Sequence, residues 1–130
     1  HHHSSAASDV YKRQILQECQ NNEIPILAIR AVQAGALTSS MDREPNRLGF
    51  DEADFKDFEK ALSFRKFANE INENPASLAH RYALSINKVS SVIMGVKNRK
   101  ELMECIEAEE KGLLDGDMIS KLEKLFKNME

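Results

Sequence analysis

Ile24-Pro25-Ile26-Leu27-Ala28-Ile29 is a short, almost unbroken apolar run. Its length and branched side chains predict a strand, and its lack of alternation predicts burial on both faces, as in a parallel sheet. Pro25 stands near the strand start, where a missing N–H is tolerated. On the amino side, Ile15 to Gln20 reads as the end of a helix running into the polar turn Asn21-Asn22-Glu23. Much further on, Val89-Ser90-Ser91-Val92-Ile93 predicts a second short strand, ending at Met94-Gly95. Helical material lies between the two, so the pair is expected to be parallel and joined by a right-handed crossover. Two such strands leave edges and faces uncovered. The chain is therefore expected to be part of a larger sheet.

Residues 30–60 read mostly as loop, broken by Gly35, Pro45 and Gly49 with charged clusters between. That is long for a plain connection and suggests a functional loop; residues 39–60 suit a border of a substrate pocket or a solvated surface equally well. Phe64, Phe67, Ala68 and Ile71 then fall on one helical face. Asn74-Pro75 supplies an N-cap and a proline at the first helical position, with Leu78, Ala79, Tyr82, Ala83 and Ile86 as the apolar stripe. Asn98-Arg99-Lys100-Glu101 resembles a capping box opening a helix that carries Leu102 and Ile106. After Gly112 and Gly116, a last helix aligns Met118, Leu122, Leu125, Phe126 and Met129. The order is strand, helices, strand, helix, helix.

The composition, 42% hydrophobic and 30% charged over 130 residues, is that of an ordinary soluble chain. A net charge of -3 gives no reason to expect nucleic acid or an anionic membrane as partner. No apolar run approaches the ~20 residues that span a bilayer. No secretory signal opens the chain, and Cys19 and Cys105 fit neither a disulfide framework nor a zinc pattern, so a cytoplasmic setting is expected. His1, His2, His3, Ser4 and Ser5 look like the tail of an affinity tag; metal binding by the three histidines lacks a further ligand at useful spacing. Asp9-Val10-Tyr11-Lys12-Arg13-Gln14 is the peptide that GAT-GTG-TAT-AAG-AGA-CAG encodes, a string resembling a transposon end used in sequencing libraries. Residues 1–14 are accordingly expected to be non-native, with the natural chain, residues 15–130, beginning near Ile15.

The turn after each strand carries the chemistry. Arg30-Ala31-Val32-Gln33-Ala34-Gly35-Ala36-Leu37-Thr38 places a glycine among small residues, which suits either close approach of a phosphate or an ordinary tight loop. Gly95-Val96-Lys97-Asn98-Arg99-Lys100 combines a glycine, basic side chains and a helix amino terminus, an anion site or a solvated basic turn. In (β/α)₈ barrels a phosphate site commonly uses the loops after strands seven and eight. Consecutive strands ending in phosphate-compatible turns, with only two helices to follow, fit the last quarter of such a barrel.

At these residues the chain resembles the aldo/keto reductases. Ile24–Thr38 is similar to their seventh strand and following loop, and Val92–Ala108 to their eighth strand, adenosine-phosphate loop and next helix. Pro75–Ser85 resembles their penultimate barrel helix, and all three stand in the family's order and spacing. The resemblance implies an incomplete (β/α)₈ TIM barrel of class α/β, about strands 7–8 with their helices. It also implies a parent that passes hydride from NADP(H), with NAD(H) not excluded, to a small carbonyl substrate. Arg30, Val32, Gly35 and Leu37 would then meet the pyrophosphate and ribose of the dinucleotide. Gly95, Val96 and Lys97 would line the 2′-phosphate pocket, with Arg99 and Lys100 beside it, and Glu104 would meet the adenine edge. Three positions depart from the family's habit: Cys105 stands where Asn is frequent, Glu101 where Gln or Arg is frequent, and Met94 where Pro is frequent. A carboxylate at Glu101 repels a phosphate and weakens the case for NADP.

The family's Asp, Tyr, Lys and His catalytic residues belong upstream of Ile15, so no catalytic residue is assigned and this chain alone is expected to be inactive. Tyr11-Lys12 has no strand context, and His80 reads as a surface or packing residue on its helix rather than a proton donor. Two other functions stay open: a small non-catalytic α/β interaction module, and a regulatory relative of the reductases.

Overall fold

The computed structural model describes residues 5–32, 35–39, 52–86 and 89–129. The three initial histidines, Gln33, Ala34 and the segment 40–51, with its Pro45 and Gly49, lie outside the described residues. The element order is α1 (Ser5–Asn21), β1 (Leu27–Ala28), α2 (Glu52–Lys60), α3 (Leu62–Glu70), α4 (Pro75–Ser85), β2 (Ser91–Val92), α5 (Arg99–Glu110) and α6 (Gly116–Asn128).

β1 and β2 pair in parallel, Leu27 opposite Ser91 and Ala28 opposite Val92. Ser90 N donates to Ile26 O at 2.8 Å and Ile93 N to Ala28 O at 2.8 Å, while Ser90 Oγ accepts from Ile26 N. The strands are shorter than the apolar runs predicted, and they are not buried on both faces. Leu27 and Ile29 are 61% and 67% exposed and Ile93 is 53% exposed. A buried parallel strand needs neighbours on both edges and helices on both faces, and among the described residues this sheet has two strands.

The core is built instead on the helices. Phe64 of α3, Leu78 of α4 and Leu122 of α6 are fully buried, joined by Leu37, Ala61, Ala68 and Ala79. Phe126 bridges them, its ring 5.5 Å from Phe64 and edge-on to Tyr82 at 4.9 Å. Such aromatic contacts add about 0.5–1.5 kcal/mol beyond the area they bury. The stripes read at 3.6-residue spacing on α3, α4 and α6 are the faces that meet here. Two expectations need correction. Residues 52–60, read as loop, form helix α2. On α5 the inward residues are Cys105 and Ala108, whereas Leu102 and Ile106 face outward.

Local signals set the helix ends. Asn74, Asn98 and Asp115 each accept a hydrogen bond from the amide three residues on, at 3.1, 2.9 and 2.8 Å, satisfying one first-turn donor apiece. α5 stops at Gly112, whose φ of +82° suits a residue without Cβ. Ser85 then locks the α5–α6 connection to α4: its Oγ donates to Arg81 O at 2.6 Å and accepts from Leu114 N at 2.8 Å. Arg81 Nε donates to Gly112 O, and Glu73 pairs with both Arg81 and Lys111.

Candidate cofactor-binding face

Because β1 and β2 are parallel, the chain leaves both at the same end of the sheet. The turns beginning at Ile29 and Ile93 are therefore neighbours at the carboxyl ends of the strands, where α/β folds place their ligand sites.

The first turn is closed upon itself. Arg30 is exposed in the left-handed region at φ +59°, and Gly35 has φ +98°. Val32 O accepts from Gly35 N at 3.0 Å and Leu37 N at 3.1 Å, and Gly35 O accepts from both the amide and hydroxyl of Thr38. Val32 packs against the core and Leu37 lies within it. Their side chains thus anchor the turn, helped by Arg65 Nη1, which donates to Ala36 O at 3.1 Å. Of the four residues singled out here, Arg30 is the exposed one, with Gly35 half-buried.

The second turn is open. Gly95, Val96, Lys97, Arg99 and Lys100 are all exposed, leading into α5. Among the described residues, nothing beyond its chain neighbours lies within 4 Å of where a Cβ on Gly95 would stand, so the position leaves room beside the backbone. Glu101 folds back across this turn. Its Oε2 accepts from Lys97 N at 2.9 Å, and its Oε1 is 3.6 Å from Lys97 Nζ. With Asn98 Oδ1 accepting from Glu101 N, this is a reciprocal cap reaching one residue further back than the usual capping box. An internal carboxylate thereby occupies the basic side chain and one backbone donor of the turn.

Glu104 is half-buried one turn along, beside an open groove between α4 and α5 lined by Asn74, Ser77, Arg99 and Lys100 among others. Cys105 points elsewhere: it is 5% exposed, and its Sγ lies 3.3 Å from His80 Nε2 on α4. Burial, then the charges of Glu104 and Glu101, push its thiol pKa up, and burial holds the imidazole of His80 below its ordinary value. Both shifts favour the uncharged forms, which suits packing between two helices. The resemblance singled out Cys105 as standing where Asn is frequent, and His80 reads from sequence as a surface or packing residue; nothing in the one-dimensional pattern joins residues 25 apart. Among the described residues no cluster of three His, Cys, Asp or Glu side chains could hold a metal ion. Among them also, no helix is long and apolar enough to cross a membrane.

A model of the aldo/keto reductase family matches residues 2–127. The chain belongs to the aldo/keto reductase family, whose members are oxidoreductases built on a TIM barrel and using nicotinamide dinucleotides. A comparison with the curated proteins gives no match.

Proposed function

We propose that this chain supplies the adenosine and pyrophosphate side of a nicotinamide dinucleotide site in a carbonyl-reducing enzyme. The observation that carries this reading is the parallel register of Leu27 with Ser91 and Ala28 with Val92, which sets both candidate turns at one end of the sheet. The dinucleotide supplies the hydride, and the protein binds and orients it. In this reading Arg30 and Gly35 meet the pyrophosphate side, with Val32 and Leu37 holding their turn from the core. Gly95, Val96 and Lys97 border the adenosine, and Glu104 stands next to its base. Cys105 contributes as packing behind that face, through His80. NADP(H) is the dinucleotide that Lys97, Arg99 and Lys100 first suggest, and the carboxylate of Glu101 stands against it.

The two strands correspond, in this proposal, to about the seventh and eighth of the barrel. Support comes from the exposed apolar side chains of Leu27, Ile29 and Ile93, a surface that neighbouring strands and helices would cover. The division of the chain at Ile15 belongs to the same reading. Val10, Tyr11 and Ile15 are more than half exposed on α1. A cytoplasmic location is part of the proposal as well.

The test pairs sequence with activity. The genomic reading frame is followed upstream of Ile15, and the extended protein and the 130-residue chain are assayed for oxidation of NADH and NADPH with simple aldehydes. The extended protein is expected to turn over and the short chain is not. An extended frame without a Tyr, Lys, Asp and His set, and without turnover, would favour the regulatory relative.

A further inference from the structure

We infer that Glu101 makes the turn before α5 select a dinucleotide without a 2′-phosphate, NAD(H) over NADP(H). The inference rests on the dinucleotide reading above and sharpens it to one ligand. Three observations meet at this carboxylate. Oε2 accepts from the Lys97 amide at 2.9 Å, Oε1 lies 3.6 Å from Lys97 Nζ, and the Glu101 amide is fixed by Asn98 Oδ1 at 2.9 Å. The Lys97 amide thus holds the carboxylate, and the Asn98 side chain holds the Glu101 backbone.

A phosphate seated on this turn needs the same partners. Helix amino termini attract anions through their first-turn amides and dipole. Here that demand is met from within the chain, by a carboxylate at the third helical position. A 2′-phosphate would have to displace Glu101 from Lys97 and then remain close to its negative charge. A ribose 2′-hydroxyl makes the opposite demand, since it donates a hydrogen bond that a carboxylate accepts. Acidic side chains serve that purpose in NAD sites of other folds.

Solvent sets the size of the effect. Lys97 and Glu101 side chains are 50% and 36% exposed, so water screens both the ion pair and the repulsion. The discrimination is therefore about tenfold, equivalent to about 1.4 kcal/mol, rather than many orders of magnitude. Arg99 and Lys100 lie beside the turn, exposed, and limit it further.

The experiment measures dissociation constants of NAD⁺ and NADP⁺ by calorimetry, for the unaltered chain and for Glu101→Gln. Glutamine keeps an oxygen that can accept from the Lys97 amide, and amide NMR spectra verify that each protein is folded. The expected result is NAD⁺ bound about tenfold tighter than NADP⁺ by the unaltered chain. Glu101→Gln should close most of that gap, mainly by tightening NADP⁺ and in smaller part by weakening NAD⁺, which loses a charged acceptor for its ribose 2′-hydroxyl. NADP⁺ bound as tightly as NAD⁺ by the unaltered chain, or unmoved by Glu101→Gln, overturns the role of Glu101 alone. A folded chain that binds neither dinucleotide overturns the cofactor reading and this inference with it.

Discussion

The Sγ of Cys105 on α5 lies 3.3 Å from Nε2 of His80 on α4, where the two helices pack against each other. Each group pays a desolvation cost for carrying charge there, and the two costs act at opposite ends of the pH scale. His80 has a folded pKa below its ordinary 6.5, so the unfolded chain takes up the proton first as pH falls. Stability should decline as pH drops through about 6.5 and level off below the folded value. Cys105 is shifted upward from 9.0, so the unfolded chain loses its proton first, and stability should decline as pH rises past that value. Urea unfolding across this range should show a plateau between the two limbs. Cys105→Ala should flatten the alkaline limb and leave the acidic one. An alkaline limb unchanged in that variant would place its cause in other groups.

Phe64 and Leu27 are comparably large apolar residues in opposite situations, one fully buried and one 61% exposed. Phe64→Ala should cost about 3–5 kcal/mol of unfolding free energy, since it empties the centre of the helical core. Leu27→Ala in the same chain should stay within about 0.5 kcal/mol. Chemical denaturation of both variants checks this. Comparable losses would mean that the sheet face is covered in solution.

Asn98 closes the first turn of α5, and Gly112 ends the helix with φ +82°. Asn98→Ala should cost about 1 kcal/mol. Gly112→Ala should cost a similar amount, about 1 kcal/mol, because alanine is strained in the left-handed region. Thermal unfolding followed by far-ultraviolet circular dichroism reads both. Asn98→Asp should restore most of the loss, as a carboxylate caps equally well.

Lys97 is the basic side chain of the second turn that Glu101 engages. Lys97→Ala removes the positive member of that pair and leaves the carboxylate behind. NADPH binding should therefore weaken severalfold more than NADH binding, by roughly the factor of 10 that ~1.4 kcal/mol represents. Fluorescence titration with the two reduced dinucleotides measures it. Equal losses for both would remove Lys97 from any phosphate role.

Much of the fold can be read along the chain, and the reasons are local. Asn74-Pro75 and Asn98 through Glu101 mark helix starts because a capping side chain acts within three residues of itself. Phe64 with Ala68, and Leu122 with Phe126, mark buried faces because they sit four residues apart on one side of a helix. The parallel pairing followed from two apolar runs separated by helical crossover material. Residues 52–60 escaped notice as helix because their sequence, EADFKDFEK, is dominated by charge.

What the chain determines by itself, then, is most of its helices though not α2, the pairing of its strands and its place among the aldo/keto reductases. Tertiary structure decided the roles of individual residues at the candidate site. Val32 and Leu37 became anchors in the core, Cys105 turned inward to His80, and Glu101 turned back to Lys97. The physical reason is that periodicity and capping act through neighbours in sequence. The direction a loop side chain takes, and the charge it meets, depend on groups that only packing brings within hydrogen-bond range.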